Sequence, residues 1–265
     1  MTNRIDQTFE DLKKRNKKAL IAYITAGDPN LPATEKLVYA FEKAGVDIIE
    51  LGIPFSDPLA DGTTIQEASR RALEKGVTIA KIFDLVRSIR CHSQIPLAFM
   101  TYYNSIFHYG EKAFIAKCQE AGVDGLIVPD LPPEEAQNLR ALAAKAGIVT
   151  IFFVAPTTVD ARIKANAAAS TGFVYYVALT GVTGTAKANS NDVARHIKRV
   201  KQFTQKPICA GFGINTPQQV REIARSADGV IVGSAIVKEI QKHAGKSDLV
   251  PEVARFVASL AEALA

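Results

Sequence analysis

Eight short apolar runs, rich in β-branched residues, recur along this chain of 265 residues, and Gly, Pro or Asp bounds each of them. They lie at residues 20–25, 47–52, 97–101, 125–129, 149–155, 173–179, 207–210 and 229–232. Within each run the apolar residues are continuous rather than alternating, which is typical of parallel strands that are covered on both faces. The pattern therefore predicts a parallel sheet buried under helices.

Helix-patterned stretches lie between these runs, and a further helix is expected near the amino terminus. The stretches are residues 31–44, 64–75, 79–90, 111–121, 133–146, 217–225 and 235–241. Eight strand–helix units match a (β/α)8 TIM barrel, whose usual size is about 250 residues. A doubly wound open sheet is the alternative, but it usually has fewer strands and a glycine fingerprint after the first, which residues 25–29 lack. We expect one α/β domain over residues 1–265, a TIM barrel with extra helical segments.

Charge and cysteine content exclude several classes of protein. The formal net charge is +5, and the only dense basic run, residues 13–18, has neither aromatic residues nor a reading helix beside it. A solvated helix end explains that run better than a nucleic-acid site. Cys91, Cys118 and Cys209 are odd in number and have no Cys-x-x-Cys spacing, which argues against disulfides and zinc and indicates a reducing compartment.

Targeting signals and metal motifs are also missing from the sequence. The amino terminus has no signal-peptide apolar core, and no apolar run approaches the roughly 20 residues of a membrane-spanning helix. The four histidines, which we expect at the surface, lack metal-ligand spacing. We expect a soluble, cytoplasmic protein without a metal.

The second run carries a carboxylate in its apolar middle. Glu50 is flanked by isoleucine and leucine, and none of the predicted strands carries a Lys or Arg that could pair with it. An unpaired buried carboxyl has a raised pKa and can both donate and accept a proton. Asp61 lies in the loop that follows, which is the longest after any predicted strand. Asp61 alone would be a turn residue, but loops after barrel strands build active sites, so it pairs with Glu50 as a candidate catalytic group.

Glycine clusters follow the last three predicted strands. They are Gly181 to Gly184, Gly211-Phe212-Gly213 and Gly233-Ser234, the last of which opens a predicted helix. Free backbone amides beside a helix amino terminus bind phosphate, and the last two loops of a barrel often hold it. Ordinary turn glycines are the alternative, but three clusters at consecutive strand ends favour a phosphate site.

Large side chains on or just beyond the strands are either core or ligand-lining residues. The candidates are Tyr23, Met100, Tyr102, Tyr175 and Phe212. Tyr175 and Tyr176 are adjacent on one strand and must face opposite ways, so only one of the two points into the barrel.

Several of these motifs resemble the tryptophan synthase alpha chain family, in order and spacing over nearly the whole chain. They are residues 25–29, 50–62, 181–184, 211–214 and 233–238. The resemblance implies a lyase that splits indole-3-glycerol phosphate into indole and glyceraldehyde 3-phosphate. Glu50 matches the general acid–base, Asp61 the carboxylate that binds the indole N–H, and Tyr175 the active-site tyrosine. Gly184, Gly213, Gly233 and Ser234 match phosphate contacts of the family. Tyr23, Met100, Tyr102, Thr183 and Phe212 remain candidate substrate-binding residues from their positions at the strand ends.

The resemblance also implies a partner and the absence of a cofactor in this chain. The family acts with a pyridoxal-phosphate beta chain, expected in an alpha2-beta2 heterotetramer, to which indole passes directly. Interface positions would be Pro54, Asp57, Pro58 and Asn104. Thr63, where relatives commonly have Pro, departs from the pattern and predicts a looser loop end.

Two other functions remain open from the residues. Another phosphosugar isomerase or synthase on this barrel would need a Lys or Cys at a strand end, where only Cys209 is available. A barrel that mainly activates a partner chain is the non-enzymatic alternative.

Overall fold

The structure, a computed structural model, describes residues 3–177, 190–211 and 213–264. Its strands are β1 (Ala19–Thr25), β2 (Ile48–Gly52), β3 (Leu97–Met100), β4 (Gly125–Ile127), β5 (Val149–Ile151), β6 (Phe153–Val154), β7 (Val174–Val177), β8 (Ile208–Gly211) and β9 (Gly229–Val232). All pair in parallel, in the order β5-β4-β3-β2-β1-β9-β8-β7-β6. The predicted parallel sheet is confirmed.

Helices surround this sheet. They are α1 (Arg4–Lys14), α2 (Leu31–Lys43), α3 (Thr63–Glu74), α4 (Ile79–Arg90), α5 (Tyr103–Tyr109), α6 (Glu111–Ala121), α7 (Gln137–Lys145), α8 (Asp160–Ala169), α9 (Ser190–Val200), α10 (Pro217–Ala224), α11 (Ser234–His243) and α12 (Leu249–Glu262). Within the described ranges, no helix has the length and hydropathy to cross a membrane.

The fifth predicted run forms two strands rather than one, and this break closes the ring. β5 pairs with β4 and β6 pairs with β7, with Phe152 between them. The Phe152 N–H donates to Ser170 Oγ at 3.1 Å, and the Phe152 carbonyl accepts a hydrogen bond from Tyr175 N at 3.0 Å. Because β5 and β6 belong to one chain segment, the sheet returns to its own start. The TIM barrel is confirmed, with its fifth strand interrupted.

The interior of the barrel is a packed apolar core that α1 closes at the end where the strands begin. Its inward side chains are Ala19, Ile21, Ile48, Ala98, Ile127, Val149, Ile151, Phe173, Tyr175, Cys209 and Ile231, and α1 adds Ile5, Phe9 and Leu12. Tyr176 belongs instead to the outer core, where its hydroxyl lies 3.0 Å from Nδ1 of His196. Strand pleating therefore selects Tyr175 as the inward tyrosine.

Two local expectations were wrong. Helix α7 begins at Gln137 rather than at residue 133. The chain forms a turn before it, because the N–H groups of Glu135 and Ala136 both donate to the Pro132 carbonyl. His243, expected at the surface, is buried with Nδ1 3.1 Å from an Asp248 oxygen. No group of three or more metal-ligating side chains occurs among the residues that the structure covers.

Candidate active site

The two candidate carboxyl groups lie at the end of the barrel where the strands finish. Glu50 is on β2, and strand register places it beside Tyr23 of β1 and Ala98 of β3. Asp61 lies in the loop between β2 and α3, just before the first turn of that helix. The sequence therefore brings an acidic strand residue and an acidic loop residue to one barrel mouth.

Glu50 is buried and has no polar partner. Its side chain is 1% exposed, and neither carboxyl oxygen has a hydrogen-bond partner. Burial, and secondarily the charge of Asp61, raises the pKa of Glu50 to about 8. A carboxyl group in this state is mostly protonated at neutral pH and is ready to donate its proton.

Asp61 is held in a different electrostatic environment. It is 9% exposed, its N–H donates to the Pro58 carbonyl at 3.0 Å, and Gln66 Nε2 donates to its carbonyl at 2.9 Å. Burial raises the pKa of Asp61 to about 6, while a hydrogen bond from Tyr102 lowers it. At neutral pH Asp61 is mostly ionised, so the two carboxyl groups differ in charge state.

Tyr102 joins both parts of the loop after β2. Its hydroxyl accepts a hydrogen bond from Ala60 N at 2.9 Å, one residue before Asp61. Near the start of the loop, the Phe55 ring stacks on Tyr102 with centroids 5.3 Å apart. Sequence reasoning missed this role of Tyr102 and the part of Phe55, since both depend on contacts between segments more than 40 residues apart.

Strand-end glycines make room for the tyrosines inside the barrel mouth. A Cβ at Gly52 would lie 2.2 Å from Tyr23 Oη, and one at Gly211 would lie 2.9 Å from Tyr175 Oη. Tyr23 Oη lies 3.2 Å from Thr25 Oγ1, and the buried ring packs in the same cluster as side chains of α3 and α11. Met100 packs against this cluster and the inner core, so it lies between them.

The candidate phosphate cradle is partly described. Gly233 is the N-cap of α11 and provides no side-chain cap, so N–H groups of the first turn, beginning at Ser234, have no acceptor within the helix. Gly213 adopts φ +73°, which favours glycine. Thr183, Gly184 and Phe212, which were also predicted to bind substrate, lie outside the described residues.

The candidate interface positions divide by burial. Pro54 and Pro58 are buried, whereas Asp57 and Asn104 are exposed. Beside them stand two large apolar side chains that sequence reasoning did not single out, Leu59 (84% exposed) and Phe107 (70% exposed). Leu59 is in the loop that Tyr102 anchors and Phe107 is on α5, whose N-cap is Tyr102, so both lie at the end of the barrel where the strands finish.

The alternative isomerase or synthase receives no support from Cys209. This thiol is fully buried in the inner core, and burial raises its pKa well above the ordinary value. A thiol in that environment is packed as an apolar group and remains unreactive.

Comparison of the sequence with known proteins finds one family and many similar relatives. The family model "Tryptophan synthase alpha chain" matches residues 9–265. A protein of that name from a Thermoanaerobacter species is 50% identical over 262 residues, which are 99% of this chain and 100% of the relative. The corresponding protein of Geobacter sulfurreducens is 47% identical over 262 residues, 99% of each chain.

Solved structures agree with the sequence comparisons. The crystal structure of tryptophan synthase subunit alpha from Legionella pneumophila matches with a TM-score of 0.92 and 37% identity, over 100% of this chain and 99% of that one. A chain of Mycobacterium tuberculosis tryptophan synthase matches with a TM-score of 0.91 and 35% identity, also over 100% and 99%.

Proposed function

This chain belongs to the tryptophan synthase alpha chain family, and on that basis we propose that Glu50 and Asp61 carry out its lyase reaction. The reaction is the cleavage of indole-3-glycerol phosphate to indole and glyceraldehyde 3-phosphate. The observation that carries the proposal is Glu50: a carboxyl group on the barrel wall with both oxygens buried and unpartnered. Burying such a group without a partner lowers the stability of the fold, and its raised pKa suits it to proton transfer.

Glu50 acts first as an acid and then as a base. Its raised pKa keeps it protonated at neutral pH, so it gives a proton to C3 of the indole ring. As the bond from C3 to the glycerol chain breaks, the carbon that leaves becomes an aldehyde. The carboxylate then takes up the proton of the hydroxyl on that carbon, which returns Glu50 to its starting state.

Asp61 stabilises the ring while it is protonated. Protonation at C3 places positive charge on the indole, and the nitrogen shares that charge. An ionised Asp61 accepts a hydrogen bond from the indole N–H, which strengthens as the charge develops. The separation of the two pKa values, about 8 and about 6, supports this division between a proton donor and an anion.

The rest of the barrel mouth would hold the substrate. Tyr23, Met100, Tyr102 and Tyr175 offer an apolar surface for the indole ring. The phosphate group would lie against the amino terminus of α11, where the helix dipole and free N–H groups favour an anion. Side chains of this chain supply the proton transfers, and pyridoxal phosphate belongs to the separate beta chain of the family.

We further propose a complex with that beta chain, an alpha2-beta2 heterotetramer. Members of the family partner with a beta chain. The support in this chain is the exposed apolar pair Leu59 and Phe107, flanked by Asp57 and Asn104, on the face where the strands end. Exposed apolar side chains grouped beside a polar rim are typical of a protein interface.

We also propose that residues 1–265 act as one domain in the cytoplasm. A single sheet contains every strand of the described ranges. All three cysteines are free, which is usual for proteins of reducing compartments.

Replacing Glu50 tests the mechanism. Glu50→Gln keeps the shape of the side chain but removes the transferable proton, so indole release from indole-3-glycerol phosphate should fall by about 10²–10⁴-fold. Glu67→Gln, an exposed change on α3, is the matched control and should keep its activity. Near-normal indole release by Glu50→Gln, followed with a colorimetric indole assay, would contradict the proposal.

The same variant provides its own control for folding. In the unfolded wild type Glu50 loses its proton above pH 4.5, whereas in the folded state it keeps the proton up to about pH 8. The free energy of unfolding therefore falls as pH rises from 4.5 to about 8. Glutamine does not titrate, so the free energy of unfolding of Glu50→Gln should not decrease in this way. The variant should be more stable than the wild type by about 2–3 kcal/mol at pH 7. Denaturant unfolding measures the difference and separates lost chemistry from lost structure.

A further inference from the structure

A cavity of about 280 Å³ opens at the end of the barrel opposite Glu50, where the strands begin. It lies just before β1, β8 and β9, which are neighbours in the sheet, and beside the last turn of α1. Its lining residues are Phe9, Leu12, Lys13, Asn16, Lys17, Lys18, Lys201, Thr204, Gln205, Lys206, Pro207 and Asp228. Two segments about 185 residues apart in sequence therefore bring lysines to one concave surface.

The lysines exceed the acidic groups available to them. Asp228 is the only acidic residue in the lining, and it is shared by Lys18 Nζ at 3.5 Å and Lys201 Nζ at 3.2 Å. Lys13 and Lys17 form no salt bridge within the described part of the chain. The cavity therefore holds more positive charge than its own side chains neutralise.

One of the five lysines is committed elsewhere. Lys206 Nζ donates to the carbonyl oxygens of Ala167 at 2.7 Å and Ser170 at 2.5 Å, at the carboxyl end of α8. The carboxyl ends of α1 and α9 also face this region, and each carries about half a negative charge. The other four ammonium groups, weighed against Asp228, against Asp47 beside Lys17 and against two helix ends, leave about one positive charge in excess.

We propose that this cavity binds a small dianion of the phosphate monoester class. The ammonium groups of Lys13 and Lys17, which form no salt bridge among the described residues, and the net positive charge of the lining suit a phosphate dianion. Asn16 and Gln205 offer amide N–H donors. The hydroxyl of Thr204 accepts from Lys206 N at 3.1 Å, which leaves its proton free to donate to a phosphate oxygen.

The floor of the cavity is apolar, which favours an apolar organic group on the phosphate ester. The buried side chains Phe9 and Leu12 and the ring of Pro207 form an apolar surface beneath the cationic rim. A phosphate on the rim with a short apolar body on this floor uses both surfaces. The volume is at the lower end for ligand sites, which limits the body to about one ring.

Phenyl phosphate is the probe for this site, and amide NMR of the ¹⁵N-labelled chain is the readout. Saturable shifts are expected at Asn16, Thr204 and Gln205, separate from any at Gly233 and Ser234 in the candidate active site. Phenol, which lacks the dianion, and chloride at matched ionic strength should not produce them. Shifts confined to Gly233 and Ser234, or no saturable shift near the lysines, would overturn the proposal.

Charge variants complete the test. Lys13→Gln/Lys17→Gln should weaken binding at the cavity by about tenfold, since both lysines would pair with the dianion. Lys14→Gln/Lys43→Gln removes the same charge outside the cavity and should leave the affinity unchanged. Equal affinity in both double variants would overturn the site. Because binding here is read independently of indole release, its failure would leave the proposed lyase reaction untouched.

Discussion

Two carboxyl groups within one barrel mouth differ in the proton that each holds at neutral pH. Glu50 has no polar partner, so burial acts on it without opposition. Asp61 is also buried, but the Tyr102 hydroxyl stabilises its charged form. Deeper burial of Glu50, the charge of Asp61 beside it and the Tyr102 hydrogen bond to Asp61 together separate the proton donor from the anion of the proposed mechanism.

The rate of cleavage should follow a bell-shaped dependence on pH. The proposed mechanism requires a protonated Glu50, so activity should fall as pH rises through about 8. It also requires an ionised Asp61, so activity should fall as pH drops through about 6. Tyr102→Phe removes the hydrogen bond that lowers the Asp61 pKa. The acidic limb of kcat/KM should therefore move to higher pH, by about half a unit to one unit.

Phe55→Leu is the control for that shift, because it removes the ring stacked on Tyr102 but keeps the hydroxyl. It should alter KM through the loop and leave the midpoint of the acidic limb in place. An acidic limb that does not move in Tyr102→Phe would contradict the positioning role of the hydroxyl.

At the residue scale, the sequence predicted what depends on local pattern. The burial of Glu50 followed from its apolar neighbours and from strands without Lys or Arg. The stacking of Phe55 on Tyr102 could not be predicted, since a loop and a distant strand end meet only after folding. Glycine at residue 52 likewise gave no sign that it accommodates Tyr23.

At the scale of elements, strand ends and helices fit together through small residues. Gly52 ends β2 in register with Thr25 of β1 and close to the Tyr23 hydroxyl. Tyr23 packs in a cluster with Ile65 and Ala68 of α3 and Val237 of α11. The position of one ring therefore depends on the missing side chain of the neighbouring strand.

Gly52→Ala should disturb this arrangement. The new Cβ would lie 2.2 Å from Tyr23 Oη and 2.7 Å from its Cζ, so the ring must move within a packed cluster. We expect a loss of stability of about 1–3 kcal/mol and a lower rate of indole release. Thermal unfolding and the indole assay measure the two effects.

Two further variants locate the cause. Gly62→Ala is the matched control, because its added Cβ would contact nothing within 4 Å, and it should cost less than about 1 kcal/mol. Tyr23→Phe removes the closest clashing atom, so the double variant Gly52→Ala/Tyr23→Phe should recover part of the lost stability. Additive losses in the double variant would show that the two residues do not act together.

Element boundaries were predictable where the chain carries its own stop signals. Helices α4 and α6 span the predicted residues, and β9 matches its predicted run. The break at Phe152 was not predictable, because the Ser170 hydroxyl that takes its N–H arrives from the end of α8. Local sequence carries no information on such a contact.

At the scale of the whole molecule, the barrel has two chemically different ends. Where the strands finish, carboxyl groups and tyrosines lie under a loop with Leu59 and Phe107 exposed beside it. Where they begin, α1 closes the core and lysines surround a small cavity. The proposed partner surface and the proposed ligand site are thus separated by the length of the barrel.

The exposed apolar pair predicts the face that a beta chain covers. Phe107→Ser should weaken binding to a tryptophan synthase beta chain by about 1–3 kcal/mol, or roughly five- to 150-fold, because the exposed aromatic side chain would be buried at the interface. Val159→Ser, at a residue 62% exposed at the start of α8, is the matched control and should change the affinity little. Titration calorimetry with the purified beta chain measures both.

Cleavage by the isolated Phe107→Ser chain should stay at the wild-type rate, since Phe107 is exposed to solvent. Equal affinities for the wild type and Phe107→Ser would place the partner on another face.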